Sequence, residues 1–361
     1  MLSFILRRIG IMLLTALALT FVVFYMTNLP PNLEKLAKSE ASARMTDADV
    51  ASWLDENGFT LPVTTRYAQW LGAMPGWVKS INDGTVRGRC IPIGSDPALA
   101  PAYCGLMQGT WGTSTVFKES VAKILGRGLG QTAWLMLAVM CVMVPVSLLL
   151  GIVAGMREGS RTDRGLSAIA IATTATPEYV SGVILVALFA SASAGLSPLL
   201  NDWGWIATKT LFMGTATSAM DDITFWNFTL PVMTIALYGI GYIARMTRAS
   251  MTEVMTQQYI RTARLKGVSF AAVVVRHALR NALIAPFTVI MLQFPWLLNG
   301  VVIVETLFNY KGFGWTLVQA AGNNDIELLL GCSVVAVLVV LVTQLMSDVG
   351  YVFLNPRIRL S

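Results

Sequence analysis

Apolar residues along this chain of 361 fall into long unbroken blocks, with the polar residues gathered between them. A helix crossing the ~30 Å hydrocarbon layer of a bilayer needs about 20 mostly apolar residues. Six segments reach that length: 9–28, 130–155, 167–195, 229–246, 282–304 and 327–347. The first carries no charge between Ile9 and Met26. It is longer than the apolar core of a signal peptide, and the small-residue triplet Ala41-Ser42-Ala43 lies beyond a polar stretch, so residues 1–28 read as an uncleaved anchor helix. The pattern predicts an all-α integral membrane protein with six transmembrane helices. A polar segment at 29–129 separates the anchor from a five-helix core at 130–361, and a second polar stretch at 247–281 interrupts that core.

Composition agrees: 55% of residues are apolar and 13% charged, against roughly 25% charged in a soluble domain. The net charge of +6 first suggests nucleic-acid binding. The positions of the basic residues point elsewhere. With the N-terminus inside, the inner segments hold Arg7, Arg8, Arg157, Arg161, Arg164, Arg245, Arg248, Arg261, Arg264, Lys266, Arg276, Arg280, Arg357 and Arg359. The two short outer loops hold only Lys209 and Lys311. An excess of Lys and Arg in short inner loops sets orientation, and long loops such as 29–129 do not count. Both termini are therefore expected in the cytoplasm, with 29–129 outside, and no nucleic-acid partner is implied.

The outer segment opens with Pro30-Pro31 and holds two candidate helices at about 46–57 and 64–72. It also holds Cys90 and Cys104, which form a disulfide in an oxidising compartment or remain two separate thiols. Cys141 and Cys332 fall within predicted spans and read as buried small apolar residues. No His or Cys/Asp cluster suggests a metal site. In the inner stretch, Tyr259 to Lys266 reads as a short helix closed by Gly267, with a second helix at about 269–280 leading into the fifth span. Ile260, Ala263, Leu265 and Val268 are apolar residues this hairpin offers to a partner. The reading of the residues leaves two roles open, a basic loop near anionic headgroups or a docking element for a cytoplasmic protein.

Tyr259-Ile-Arg-Thr-Ala-Arg-Leu-Lys-Gly267, followed by Arg276-His-Ala-Leu-Arg-Asn-Ala-Leu283, resembles the cytoplasmic EAA loop of ABC-importer permeases. The match is to the oligopeptide, dipeptide and nickel class of binding-protein-dependent importers. The general pattern's Glu, one Ala, Ile and Pro are absent here, but the Arg-His-Ala-Leu-Arg-Asn-Ala form is the one that class carries. Further segments agree in order and spacing: Gly58 to Leu71, Trp111-Gly112-Thr113-Ser114, Gly151-Ile-Val-Ala-Gly155 with Arg161-Thr-Asp163-Arg, Val304-Glu305-Thr-Leu-Phe308 with Gly312-Phe-Gly314, and Asn355-Pro-Arg-Ile-Arg359. The resemblance spans about 1–30 and 58–361, with residues 72–110 an apparent insertion and Asn355 standing where the family more often has Asp.

The resemblance implies a type I ABC-importer permease of the bacterial inner membrane, with a periplasmic insertion between helices 1 and 2. Its implied partners are a homologous second permease subunit, two cytoplasmic ATPase subunits, a periplasmic substrate-binding protein and membrane lipid. ATP and Mg would sit in the ATPase subunits, leaving this chain no cofactor and no catalytic residue. Tyr259, Ile260, Arg261, Ala263, Arg264, Lys266 and Gly267 would form the coupling helix. The implied cargo is a di- or oligopeptide, with oligosaccharides, opines and nickel complexes as alternatives within the class.

Two observations stand apart from the resemblance. There is no Walker A pattern and no Gly-Lys pair, so a nucleotide is not cradled in that way. Acidic residues inside the spans, which ion coupling would use, are nearly confined to Glu178, so a secondary carrier is the weaker rival. The lack of H-E-x-x-H and G-x-S-x-G tells against an intramembrane enzyme. Glu178, expected ~16 Å deep along a straight third span, is either a pore-lining acid or a partner in an inter-helix hydrogen bond. Trp296 beside Pro295 is a second candidate for the pore wall, or else packing. The lone His277 reads as a surface residue, and Trp203, Trp205, Trp226, Tyr238 and Tyr351 as interface anchors.

Overall fold

A computed structural model of the protein describes residues 2–80, 85–91 and 96–354; the side chains of 2–5, 294–295, 298–299 and 351–354 also fall outside the description. In chain order the elements begin with α1 (Leu2–Thr27), α2 (Pro30–Glu40), α3 (Asp47–Glu56) and α4 (Val63–Leu71). A small antiparallel hairpin of β1 (Val78–Ser80) and β2 (Val86–Gly88) follows, then α5 (Val121–Met156), α6 (Arg161–Ala175), α7 (Glu178–Phe189) and α8 (Leu196–Asp202). The remainder comprises α9 (Phe225–Met255), α10 (Gln258–Leu265), α11 (Phe270–Ala272), α12 (Leu279–Ala282), α13 (Ile284–Leu307), α14 (Phe313–Gly322) and α15 (Ile326–Leu354), with a π-helical stretch at Val273–Ala278.

Among the described residues four helices, α1, α5, α9 and α15, are long and apolar enough to cross a membrane; two bent pairs, α6 with α7 and α11–α12 with α13, bring the number to six where each pair makes one span. The third span departs from the expected straight helix at 167–195. The axis turns by 109° between Ala175 and Glu178. Pro177 explains the break: its ring excludes the helical region for the preceding residue and it has no N–H to donate. Thr176 accordingly takes an extended conformation at φ −88°, ψ 122°. The fifth span is bent by 49° at Leu283.

The chain divides into two compact units, residues 1–127 with 316–339, and 128–315 with 340–361. In the first, Pro30 and Pro31 start α2, where a missing N–H costs nothing. The expected helices at 46–57 and 64–72 are α3, opened by a capping box of Thr46 and Asp49, and α4. Phe24, Leu33, Leu36, Trp70, Ile326 and Leu330 form the core. The buried Asp325 caps α15 by accepting from the Leu328 N–H, and also accepts from the Ser114 hydroxyl at 2.5 Å.

In the second unit α9 is the central helix, packed on α6, α7 and α13. Leu135, Val139, Met143, Ile235, Ile243 and Leu297 lie in its core. Gly151 and Gly155 let α5 approach α9 closely: a Cβ at Gly151 would lie 2.6 Å from the Ala244 carbonyl oxygen, and one at Gly155 2.8 Å from that of Arg248. Small residues one turn apart are a common way for membrane helices to bring backbones together.

Candidate functional site

The stretch between α9 and α13 folds into a short helical hairpin. α10 is amphipathic, and Ile260 and Ala263, three residues apart, share its buried face. They pack with Met251 of α9 and with Val273, Val274, Ala278 and Ala282 of the returning arm. Ile260 and Ala263 therefore anchor the hairpin to its own chain, which corrects the expectation that they are offered to a partner. Val268 is also part-buried against this cluster, and Leu265 alone of the four apolar residues stands fully out, 80% exposed.

Gly267 ends α10 in the left-handed region at φ +79°. The Val268 N–H donates to the Ala263 carbonyl and the Gly267 N–H to that of Arg264, which satisfies the last carbonyls of the helix. The outer surface of the hairpin presents Tyr259, Arg261, Arg264, Leu265 and Lys266. Two contacts hold it in shape: Asn281 Nδ2 donates to the Tyr259 hydroxyl at 2.9 Å, and the Arg264 guanidinium lies 5.7 Å from the centre of the Phe270 ring. The expected second helix is divided into α11, the π stretch and α12. His277 is exposed. Such a surface, basic and with one projecting leucine, is suited to an acidic-rimmed groove on another protein.

The other candidates lie elsewhere. Glu178 is the first residue of α7, so the depth expected from a straight helical rise does not apply. Its carboxylate lies against the bare backbone of α13 at Gly300, where a Cβ would collide with it, and among the described residues Oε2 is buried without a hydrogen-bond partner. Trp296 stacks on Tyr238, ring centres 4.3 Å apart and 19° from parallel, so Tyr238 has an aromatic partner within its own unit. Trp203, Trp205 and Trp226 are exposed. The side chain of Tyr351 and the segment Asn355 to Arg359 lie outside the described residues. Cys90 and Cys104 are joined by a disulfide, with Cα atoms 5.5 Å apart.

Two polar networks carry roles that sequence reading missed. Asp163, quoted above only within a motif, accepts from Arg248 Nε at 2.5 Å and Nη2 at 2.7 Å, and also from the Gly159 N–H. This bidentate pair ties the start of α6 to α9 a few residues before the hairpin. Glu305, fully buried, accepts from the Thr132 hydroxyl at 2.5 Å and the Trp315 N–H at 3.0 Å. Gly312 and Gly314 leave room for that carboxylate; a Cβ at either would strike it. No local spacing signals either network, because the partners are far apart in the chain.

The family of binding-protein-dependent transport system inner membrane components matches residues 147–360. The chain belongs to this family. The permease is 32% identical to the di/tripeptide transport system permease protein DppB of Pseudomonas aeruginosa (strain UCBPP-PA14), over 99% of both chains. It is 32% identical, over 69% of this chain and 75% of the other, to a protein of Brucella abortus (strain 2308) named as a peptide transport system permease. A solved amino acid ABC transporter crystallised with histidines aligns with 64% of the permease and 94% of that chain, at a TM-score of 0.46 and 15% identity. The permease is thus a multi-pass inner-membrane transport component, and the sequence-based expectation of an ABC-importer permease stands.

Proposed function

We propose that this permease forms half of the translocation pore of an ATP-driven importer of di- and oligopeptides. ATP hydrolysis falls to two cytoplasmic ATPase subunits, a homologous permease supplies the other half of the pore, and a periplasmic binding protein delivers the cargo. Both termini and the hairpin face the cytoplasm in this reading, and 29–129 faces the periplasm. The names of full-length relatives support peptide cargo. The observation that carries the coupling role is the hairpin itself: an inner face locked on α9 and the returning arm, and an outer face left basic with Leu265 projecting. An element held this firmly transmits a push to α9 and α13 as a rigid body, which is what alternating access requires.

The test is co-purification of the assembled complex, wild type against Leu265→Asp. Wild type is expected to retain its ATPase subunits and to show peptide-stimulated ATP hydrolysis, and the variant to lose at least tenfold of that stimulation. If no ATPase subunit accompanies the wild type, and Leu265→Asp imports peptide normally down a proton gradient, the secondary-carrier reading replaces this one. A panel including oligosaccharides, opines and nickel complexes decides the cargo.

A further inference from the structure

The first unit holds a half-open cavity of about 810 Å³, built from the ends of α1 and α2, from α3 and α4, from the β1–β2 hairpin and from the first turns of α15. Its walls are made by structure already described. Lys79 of β1 pairs with Asp55 of α3 at 2.7 Å, which fixes the hairpin against the helices. The Cys90–Cys104 disulfide holds the chain leaving β2. Trp53, Phe59, Trp70 and Trp77 line the space, so it offers the broad apolar surface usual for small-molecule sites.

The polar groups in this cavity are unbalanced. Arg66 is buried, 8% exposed, and donates to the Leu61 carbonyl and to Asn28 Oδ1; among the described residues no carboxylate pairs with it. Burial pulls its guanidinium below its ordinary range. The centre of the Phe59 ring lies 5.8 Å from the Arg66 guanidinium carbon, a weaker compensation for a buried cation than an anion would give. Gln69, 6% exposed, has a buried amide oxygen, Oε1, that accepts no hydrogen bond among the described residues. Glu40, Arg87, Arg89 and Glu327 also line the cavity; Arg89 lies within electrostatic reach of Glu327, and among the described residues Oε2 of Glu327 and Nε of Arg89 are buried without a hydrogen-bond partner. With Arg89 already facing Glu327, the cavity wants an anion at Arg66 and a cation or N–H donors at Glu40 and Gln69, with an apolar body between.

We propose that this cavity is a second binding site for zwitterionic short peptides, distinct from the translocation pathway, with the peptide carboxylate on Arg66, its ammonium toward Glu40, and its side chains on the tryptophans. A di- or tripeptide fits comfortably in the volume. The choice of peptide over other zwitterions rests on the proposed cargo. A permease with such a site holds peptide at the delivery face before it enters the pore. A phosphatidylethanolamine headgroup shares the same charges and is the competing source of this chemistry.

The experiment uses the full-length permease in phosphatidylcholine nanodiscs, titrated calorimetrically with Ala-Phe-Ala, its N-acetylated form and its C-amidated form. The free tripeptide is expected to bind saturably and each blocked form at least tenfold more weakly. Arg66→Gln should weaken the free peptide at least tenfold and remove the penalty for amidation. Glu40→Gln should do the same for acetylation; Glu40 is exposed and its side chain makes no hydrogen bond among the described residues, so this variant separates binding from folding. Indifference to the blocking groups, absence of saturable binding, or a co-purified phosphatidylethanolamine that peptide does not displace would each overturn the proposal. Peptide binding with no ATPase coupling would remove the proposed function and leave the cavity; coupling without peptide binding would do the reverse.

Discussion

Arg248 and Asp163 lie 85 positions apart, and each makes sense only through the other. Asp163 is 2% exposed, and its two oxygens are filled by one guanidinium, the Gly159 N–H and the Ser167 hydroxyl. Removing one partner of a buried pair leaves an uncompensated charge, which typically costs about 3–5 kcal/mol, whereas replacing both can be close to neutral. Arg248→Met is therefore expected to lower the unfolding midpoint of the detergent-purified permease sharply, and Arg248→Met with Asp163→Leu to restore much of it. Equal midpoints for wild type and the single variant would show that the pair bears no such weight. At this scale the sequence was least legible. Its motif letters at 161–164 and 304–314 matched a family, but the roles of Asp163 and Glu305 depend on distant donors that no local spacing announces.

The hairpin is where element and residue meet. Helical period and a glycine stop were enough to place α10 to within a residue, because a short amphipathic helix and its C-cap are local properties. Which face was free could not be read in the same way. Ile260 and Ala263 looked like offered apolar residues until the arm from Val273 to Ala282 folded over them. Gly267 has open space around its Cβ position, so a substitution there acts through backbone strain alone. An L-residue in the left-handed region costs about 1–2 kcal/mol, with Asn tolerated better than branched residues. Peptide-stimulated ATPase activity is expected to fall in the order Gly267, Asn, Ala, Val, and limited proteolysis at Arg264 and Lys266 to rise in the same order. A flat series would detach the cap from coupling. The break at Thr176–Pro177 belongs to this scale too: Pro177 was visible as a residue, but the size of its effect, 109°, followed from how α6 and α7 each found packing on α9.

For the whole molecule, the claim most exposed to test is orientation. Single cysteines introduced at Thr262, on the exposed face of α10, and at Glu56, at the end of α3, are expected to label from opposite sides of the membrane in intact cells. Thr262 should react only after permeabilisation and Glu56 with an impermeant maleimide from outside, in a background where Cys141 and Cys332 are replaced. Labelling of both from one side would invert the arrangement and take the hairpin away from any cytoplasmic ATPase.

What the sequence determined alone was the set of apolar lengths, the asymmetry of its basic residues and the ordered family motifs. Each is a property of contiguous residues: a run of 20 apolar side chains meets a bilayer's thickness wherever the rest of the chain goes. The number of spans and the family followed from these. Tertiary structure decided the rest: that two of the six spans are bent, that two of the seven expected coupling residues point inward, and that Arg66, Gln69, Glu40 and Glu327, scattered from residue 40 to residue 327, line one cavity. Burial and charge balance are sums over neighbours in space, and a chain's order does not list those neighbours.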